Sequence, residues 1–149
     1  MELVFNEWFV EFMVQEQQKR GLVWRLLDVL EVKGDRLVIK RKSPFVQKFN
    51  RLNKLHGNPG QPSRPWFKRF SLLMRAPSSI RLVDEHEIPE LPKWVSEVVK
   101  DGDLYLVQTA ALTNERTIVT TDAPLRDSLN GKDDFRVVLL EDFVAEYLR

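Results

Sequence analysis

The chain of 149 residues contains no cysteine. Disulfides, thiolate metal sites and cysteine nucleophiles are therefore excluded. Apolar runs are short, and none approaches the roughly 18 residues of a membrane span. Glycine is scarce, six residues in all, and neither a Gly-x-Gly-x-x-Gly nor a Walker loop occurs, so a nucleotide cofactor has no cradle. Two histidines without ligand spacing argue against a zinc enzyme. No serine stands in the context of a nucleophile elbow. The opening Met1-Glu2-Leu3-Val4-Phe5 enters a strand pattern with no basic leader, so a cytoplasmic protein without membrane association is expected. Repeats and low-complexity tracts are also missing. At this length one domain spanning 1–149 is expected, burying about two-thirds of its unfolded surface.

The most informative absence is of acid. Residues 36–83 carry twelve Lys and Arg and no Asp or Glu, whereas residues 1–35 sum to −3 and residues 84–149 to −8. The chain as a whole is nearly neutral at +1. A basic surface facing phosphates is the direct physical use of such a segment. Lys40, Arg41, Lys42 and Ser43 follow the second strand, and Lys48 and Arg51 lie on the next helix. Arg64, Lys68 and Arg69 interleave with Trp66, Phe67 and Phe70, a pattern compatible with stacking on single-stranded bases. Phe67 and Phe70 at helical spacing read as core.

Read in order, Leu3-Val4-Phe5 is a strand and Asn6 a cap for a helix bearing Trp8, Phe9, Phe12 and Met13. Gly21 is expected to break the chain before a second helix with Leu22, Val23, Leu26, Leu27 and Leu30 at helical spacing. Arg36–Lys40 is a strand. Ser43-Pro44 opens a helix as cap and first residue. His56 to Arg64 reads as an exposed loop, and Pro65 restarts a helix through Met74. Ile80–Val83 is a strand, Asp84–Leu91 an exposed acidic connector that includes His86, and Pro92 begins a helix. Asp103 starts a small-residue helix running toward Leu112, Ile118-Val119 is a buried strand, and Asp122 caps a helix containing Pro124. Arg136–Leu140 and a closing helix complete the chain. Strands alternating with helices imply a three-layer α/β/α sandwich around a mostly parallel sheet of about five strands. Right-handed crossovers would gather all strand carboxyl ends on one rim, where ligands bind in such sheets. Asp103 at a helix start and Asp122 at a strand end, about twenty residues apart, would meet there.

This order resembles the PIN-domain family of metal-dependent nucleases, many of them ribonucleases in RNA processing or toxin–antitoxin pairs. The polar end of the first strand, the Ser-opened helix, Asp103 with its Ala-rich helix and Thr120-Thr121-Asp122 carry the resemblance over nearly the whole chain. It implies that Asp103 and Asp122 hold Mg²⁺ or Mn²⁺, with Thr120 and Asn6 in support. Two acidic positions depart from the pattern. The first strand ends Asn6-Glu7-Trp8 where the family has an Asp, and no Glu occupies the helix after the second strand. Glu7 would compensate only by turning into the site. Lys48, if it faces the rim, would put its own ammonium where a metal cation belongs. Three functions follow from the resemblance: an atypical Mg²⁺- or Mn²⁺-dependent ribonuclease, an inactive module binding nucleic acid or an acidic partner protein, and a toxin-like subunit neutralised by an acidic partner. A homodimer is compatible with each.

Overall fold

In the computed structural model, which describes residues 1–149, five short strands form the central layer: β1 (Glu2–Phe5), β2 (Arg36–Lys40), β3 (Ile80–Val83), β4 (Thr117–Thr120) and β5 (Arg136–Leu139). Their order is β3-β2-β1-β4-β5, and every pairing is parallel. Leu3 pairs with Leu37, while Val4 and Phe5 pair with Ile118 and Val119. β4 is buried at all four positions, as a strand covered on both faces must be, hence its β-branched content.

The helices are α1 (Trp8–Phe12), α2 (Gln17–Lys33), α3 (Pro44–His56), α4 (Arg64–Leu73), α5 (Lys93–Val98), α6 (Leu104–Ala110), α7 (Ala123–Leu129) and α8 (Leu140–Tyr147). Right-handed crossovers put α1–α4 on one face and α5–α7 on the other. α8 returns to the first face, where Phe143 meets Phe5 at 5.8 Å between ring centroids. On that face Phe70 of α4 packs edge-on against Phe9 of α1 (5.5 Å) and against Phe45 (6.0 Å) and Phe49 (5.3 Å) of α3. Edge-to-face pairs of this kind add about 0.5–1.5 kcal/mol each beyond burial, and here they clamp α3 against α1.

Most expected elements are present, including the Ser43 cap, whose hydroxyl accepts from Val46 N–H at 3.4 Å. Some details differ. Gly21 does not break the chain: α2 runs through it, and the break falls earlier, between Met13 and Glu16. Burial of Val23, Leu26, Leu27 and Leu30 outweighs the roughly 1 kcal/mol that one helical glycine costs. Asn6 is not a helix cap, and the acidic connector contains a 3₁₀ turn at Glu85–Glu87. α6 stops at Ala110, and Leu140 opens α8 rather than ending β5.

Gly21 is exposed, and a Cβ added there would meet nothing within 4 Å. Gly21→Ala is expected to stabilise the protein by about 0.5–1 kcal/mol, read as a higher urea midpoint at unchanged slope. A decrease would contradict the continuous α2.

Candidate functional site

Three strands end side by side at the rim, and the sheet order reverses across β1 and β4. Thr120, the last residue of β4, is wholly buried. Its hydroxyl oxygen accepts from the Asn6 side-chain amide at 3.0 Å and from the Asp122 backbone N–H at 3.1 Å. The Asn6 Oδ1 accepts in turn from the Glu7 backbone N–H. An amide supplies both donor and acceptor, which an ionised carboxylate cannot. Asn6 therefore ties β1 to β4 instead of presenting charge. Below it, Asn6 N–H and the Trp8 indole N–H both donate to Val119 O, at 3.2 and 2.9 Å.

Three carboxylates converge above this latch. Asp122 caps α7, one oxygen accepting from Leu125 N–H at 3.2 Å, which leaves its second oxygen for another partner. Asp103 ends a 3₁₀ turn at Asp101–Asp103 and precedes α6, yet its side chain does not cap that helix. Capping therefore does not account for it. Burial raises the Asp103 pKa, the charges of Asp122 and Glu7 raise it further, and Lys100 pulls weakly the other way. Like charges acting in a half-buried place have that effect.

Glu7 does turn into the site, and Lys48 faces it. The Lys48 ammonium lies 3.4 Å from one Glu7 oxygen and also pairs with Glu11. Burial alone would lower the Lys48 pKa, but Glu11 and Glu7 outweigh it and the pKa rises, so Lys48 stays charged. The other Glu7 oxygen accepts from the Tyr105 hydroxyl at 3.5 Å. Burial, with the charges of Glu7 and Asp103, holds the Tyr105 pKa well above the phenol range. Tyr105 is thus a fixed donor. Tyr105 and Glu11 were not expected at the site; each follows apolar or helical spacing in sequence, and only the fold reveals their polar ends.

The donor set suits a hard divalent cation: carboxylate oxygens without nitrogen or sulfur. Asp103 and Asp122 have no cationic partner of their own, whereas Glu7 already has Lys48. The rim acids are not drawn tightly together. The one trio of ligand-type side chains whose donor atoms lie within 4.8 Å of each other is Asp84, His86 and Glu87. Two of its members are engaged otherwise: Asp84 pairs with Arg41 at 3.1 Å, and Glu87 accepts from Asp84 N–H at 2.7 Å.

The basic segment is largely paired within the chain. Six of its twelve cations, Arg36, Lys40, Arg41, Lys48, Arg69 and Arg81, meet carboxylates from outside the segment. Lys40 lies against Glu85 and Gln108, and Arg69 against Asp28 and Glu31. Arg64 donates to Gly57 O at 2.9 Å, and Ser43 is buried as a cap. Of the expected phosphate contacts, Lys42, Arg51 and Lys68 stand exposed without such a partner. The chain matches no protein-family model, no curated protein and no solved structure.

Three outcomes follow from the charges. Because the folded pKa of Asp103 is raised, the folded state binds that proton more tightly than the unfolded state. The resulting cost is fully present above the folded pKa and is relieved as pH falls through it. Asp103→Asn should therefore stabilise the protein at neutral pH, by about 1 kcal/mol or less given the partial exposure, and flatten that part of the stability–pH profile. Lys48→Met should destabilise it by about 1–2 kcal/mol, between surface and buried ion pairs. In NMR carboxyl titrations Glu7→Gln should bring the Asp103 pKa down toward its ordinary value; an unchanged Asp103 would contradict the action of Glu7 on it.

Proposed function

We propose that this chain is a PIN-like protein that acts on RNA at the β1–β4 rim, as an atypical divalent-metal-dependent ribonuclease of the cytoplasm. The observation that carries the reading is Asp103: a half-buried carboxylate in no ion pair, its pKa raised by burial, Asp122 and Glu7 against a weaker pull from Lys100. Uncompensated like charge is a cost the fold retains, and an arriving cation relieves it. Asp103 and the free oxygen of Asp122 would hold Mg²⁺ or Mn²⁺, with Glu7 as a third donor. Bound there, the metal would supply positive charge against a scissile phosphate and acidify an attacking water. Thr120 and Asn6 fix the two strand ends so that the acids keep their spacing. Lys42, Arg51 and Lys68 offer cations to neighbouring phosphates. No helix is long and apolar enough to cross a membrane.

One observation favours a second reading. Lys48 brings a resident ammonium to Glu7, and a site already carrying its cation binds phosphate without cutting it. The protein would then be an inactive module for RNA or for an acidic partner chain, including a toxin-like subunit with an acidic antitoxin.

Incubation of end-labelled single-stranded RNA with Mn²⁺ or with EDTA separates the two. Cleavage with Mn²⁺ that falls to background in EDTA and in Asp103→Asn/Asp122→Asn is the expected result. Binding that is indifferent to EDTA and weakens steeply with salt, with no cleavage, would replace the nuclease with the binding module.

A further inference from the structure

On the helical face that carries α2, α3 and α4, a polar cavity of about 210 Å³ opens where the three helices meet. It is lined by Gln15, Arg20, His56, Gln61 and Ser63, with Val14 and Pro62, and by no carboxylate. The polar groups around it are donors. Gln61 Oε1 already accepts from Asn58 N–H at 3.1 Å, and Gln15 Oε1 from the Lys19 ammonium at 2.9 Å. Those bonds fix both side-chain orientations, since an N–H can only donate, and they leave each glutamine NH₂ as the free end. Ser63 precedes α4 but its hydroxyl does not cap it.

Arg20 is one of the residues lining the cavity, and its side chain as a whole is half-buried. Its Nε is buried and has no hydrogen-bond partner, the one such side-chain atom in the protein. A buried guanidinium donor left unpaired costs more than a neutral one would. The side chain is held in place by the Trp66 ring, 5.3 Å from the guanidinium carbon, while the Trp66 indole N–H donates to Arg20 O at 2.8 Å. An oriented guanidinium, two amide NH₂ groups, a hydroxyl and an imidazole, with no acid among them, form a cradle for a multi-oxygen anion.

The geometry points to a phosphoryl-binding pocket at Arg20, distinct from the carboxylate rim, that takes a phosphate dianion, free or as a terminal monoester. The group is either the terminal 5′-phosphate of a single-stranded RNA or a small free phosphate. The first source would rest on the proposed action on RNA; the pocket itself does not.

Titration of the ¹⁵N-labelled protein with inorganic phosphate, at ionic strength held constant with chloride, tests the pocket through the Trp66 indole signal. A saturable shift of that signal is expected, weakened about tenfold or more in Arg20→Gln, the scale of one charge-assisted hydrogen bond. Should Arg20→Gln fail to fold, the pair His56→Ala/Gln61→Ala, at an exposed and a half-buried position outside the core, should weaken binding about fivefold or more on the same reasoning. No saturable shift, an equal shift with acetate, or equal affinity in the folded variants would overturn the pocket. A second arm compares 5′-phosphorylated and 5′-hydroxyl forms of one short oligoribonucleotide in EDTA. A preference for the phosphorylated form that is lost with Arg20 assigns an RNA end. No preference, with phosphate still binding, assigns a small phosphate. Asp103→Asn/Asp122→Asn should leave all of these shifts unchanged, so loss of nuclease activity and loss of the pocket are read separately.

Discussion

The hydroxyl of Thr120 holds the rim together. It sits where β1 and β4, distant in sequence, run side by side and the sheet order turns back on itself. Accepting from Asn6 on one side and from the Asp122 backbone on the other, it fixes the two strand ends in register. The bonds of Asn6 N–H and the Trp8 indole to Val119 O extend the β1–β4 ladder to the same point. Parallel α/β sheets place ligands in the crevice at this reversal, and Asp103 enters the same crevice from the start of α6. Topology thus brings the carboxylates near enough for Asp122 and Glu7 to act on Asp103, and their mutual repulsion is kept in the folded state.

Charge organises the rest of the molecule by complement rather than by patch. The acid-free middle third supplies cations to acidic flanks: Arg36 and Arg81 converge on Glu2, Arg69 reaches Asp28 and Glu31, and Lys48 bridges Glu7 and Glu11. Segregation along the chain has become pairing in space. The exposed remainder, Lys42, Arg51, Lys54, Lys68 and Arg75, is a smaller surface than twelve unopposed cations would make. Lys48 has the largest consequence, because it decides whether Glu7 serves as a metal donor or as half of an ion pair.

Fold class was legible because the strands are short β-branched runs and because Ser43-Pro44 and Asp122-Pro124 announce their helices. Placing Asp103 and Asp122 near one rim needed only a helix start, a strand end and crossover handedness, and Asp122 is among the groups that raise the Asp103 pKa. Local rules failed where a distant partner outbids them. Asn6 has the chemistry of a cap, but its amide bonds Thr120, 114 residues away. Gly21 has the propensity of a breaker, but the apolar stripe of α2 carries the helix through it. Tyr105 lies in an apolar run that reads as core, and its hydroxyl meets Glu7 across 98 residues. Arg20 carries no signal in the sequence; only the packing of α2 against Trp66 of α4 seals its Nε from solvent.

The central claim is that the acids at the β1–β4 rim form the cation site of this protein. Paramagnetic broadening of backbone amide signals by substoichiometric Mn²⁺ tests it directly, without substrate or activity. The account predicts broadening centred on Glu7, Asp103 and Asp122, and its loss in Asp103→Asn/Asp122→Asn. Broadening centred instead on Asp84, His86 and Glu87, or none at millimolar Mn²⁺, would contradict it.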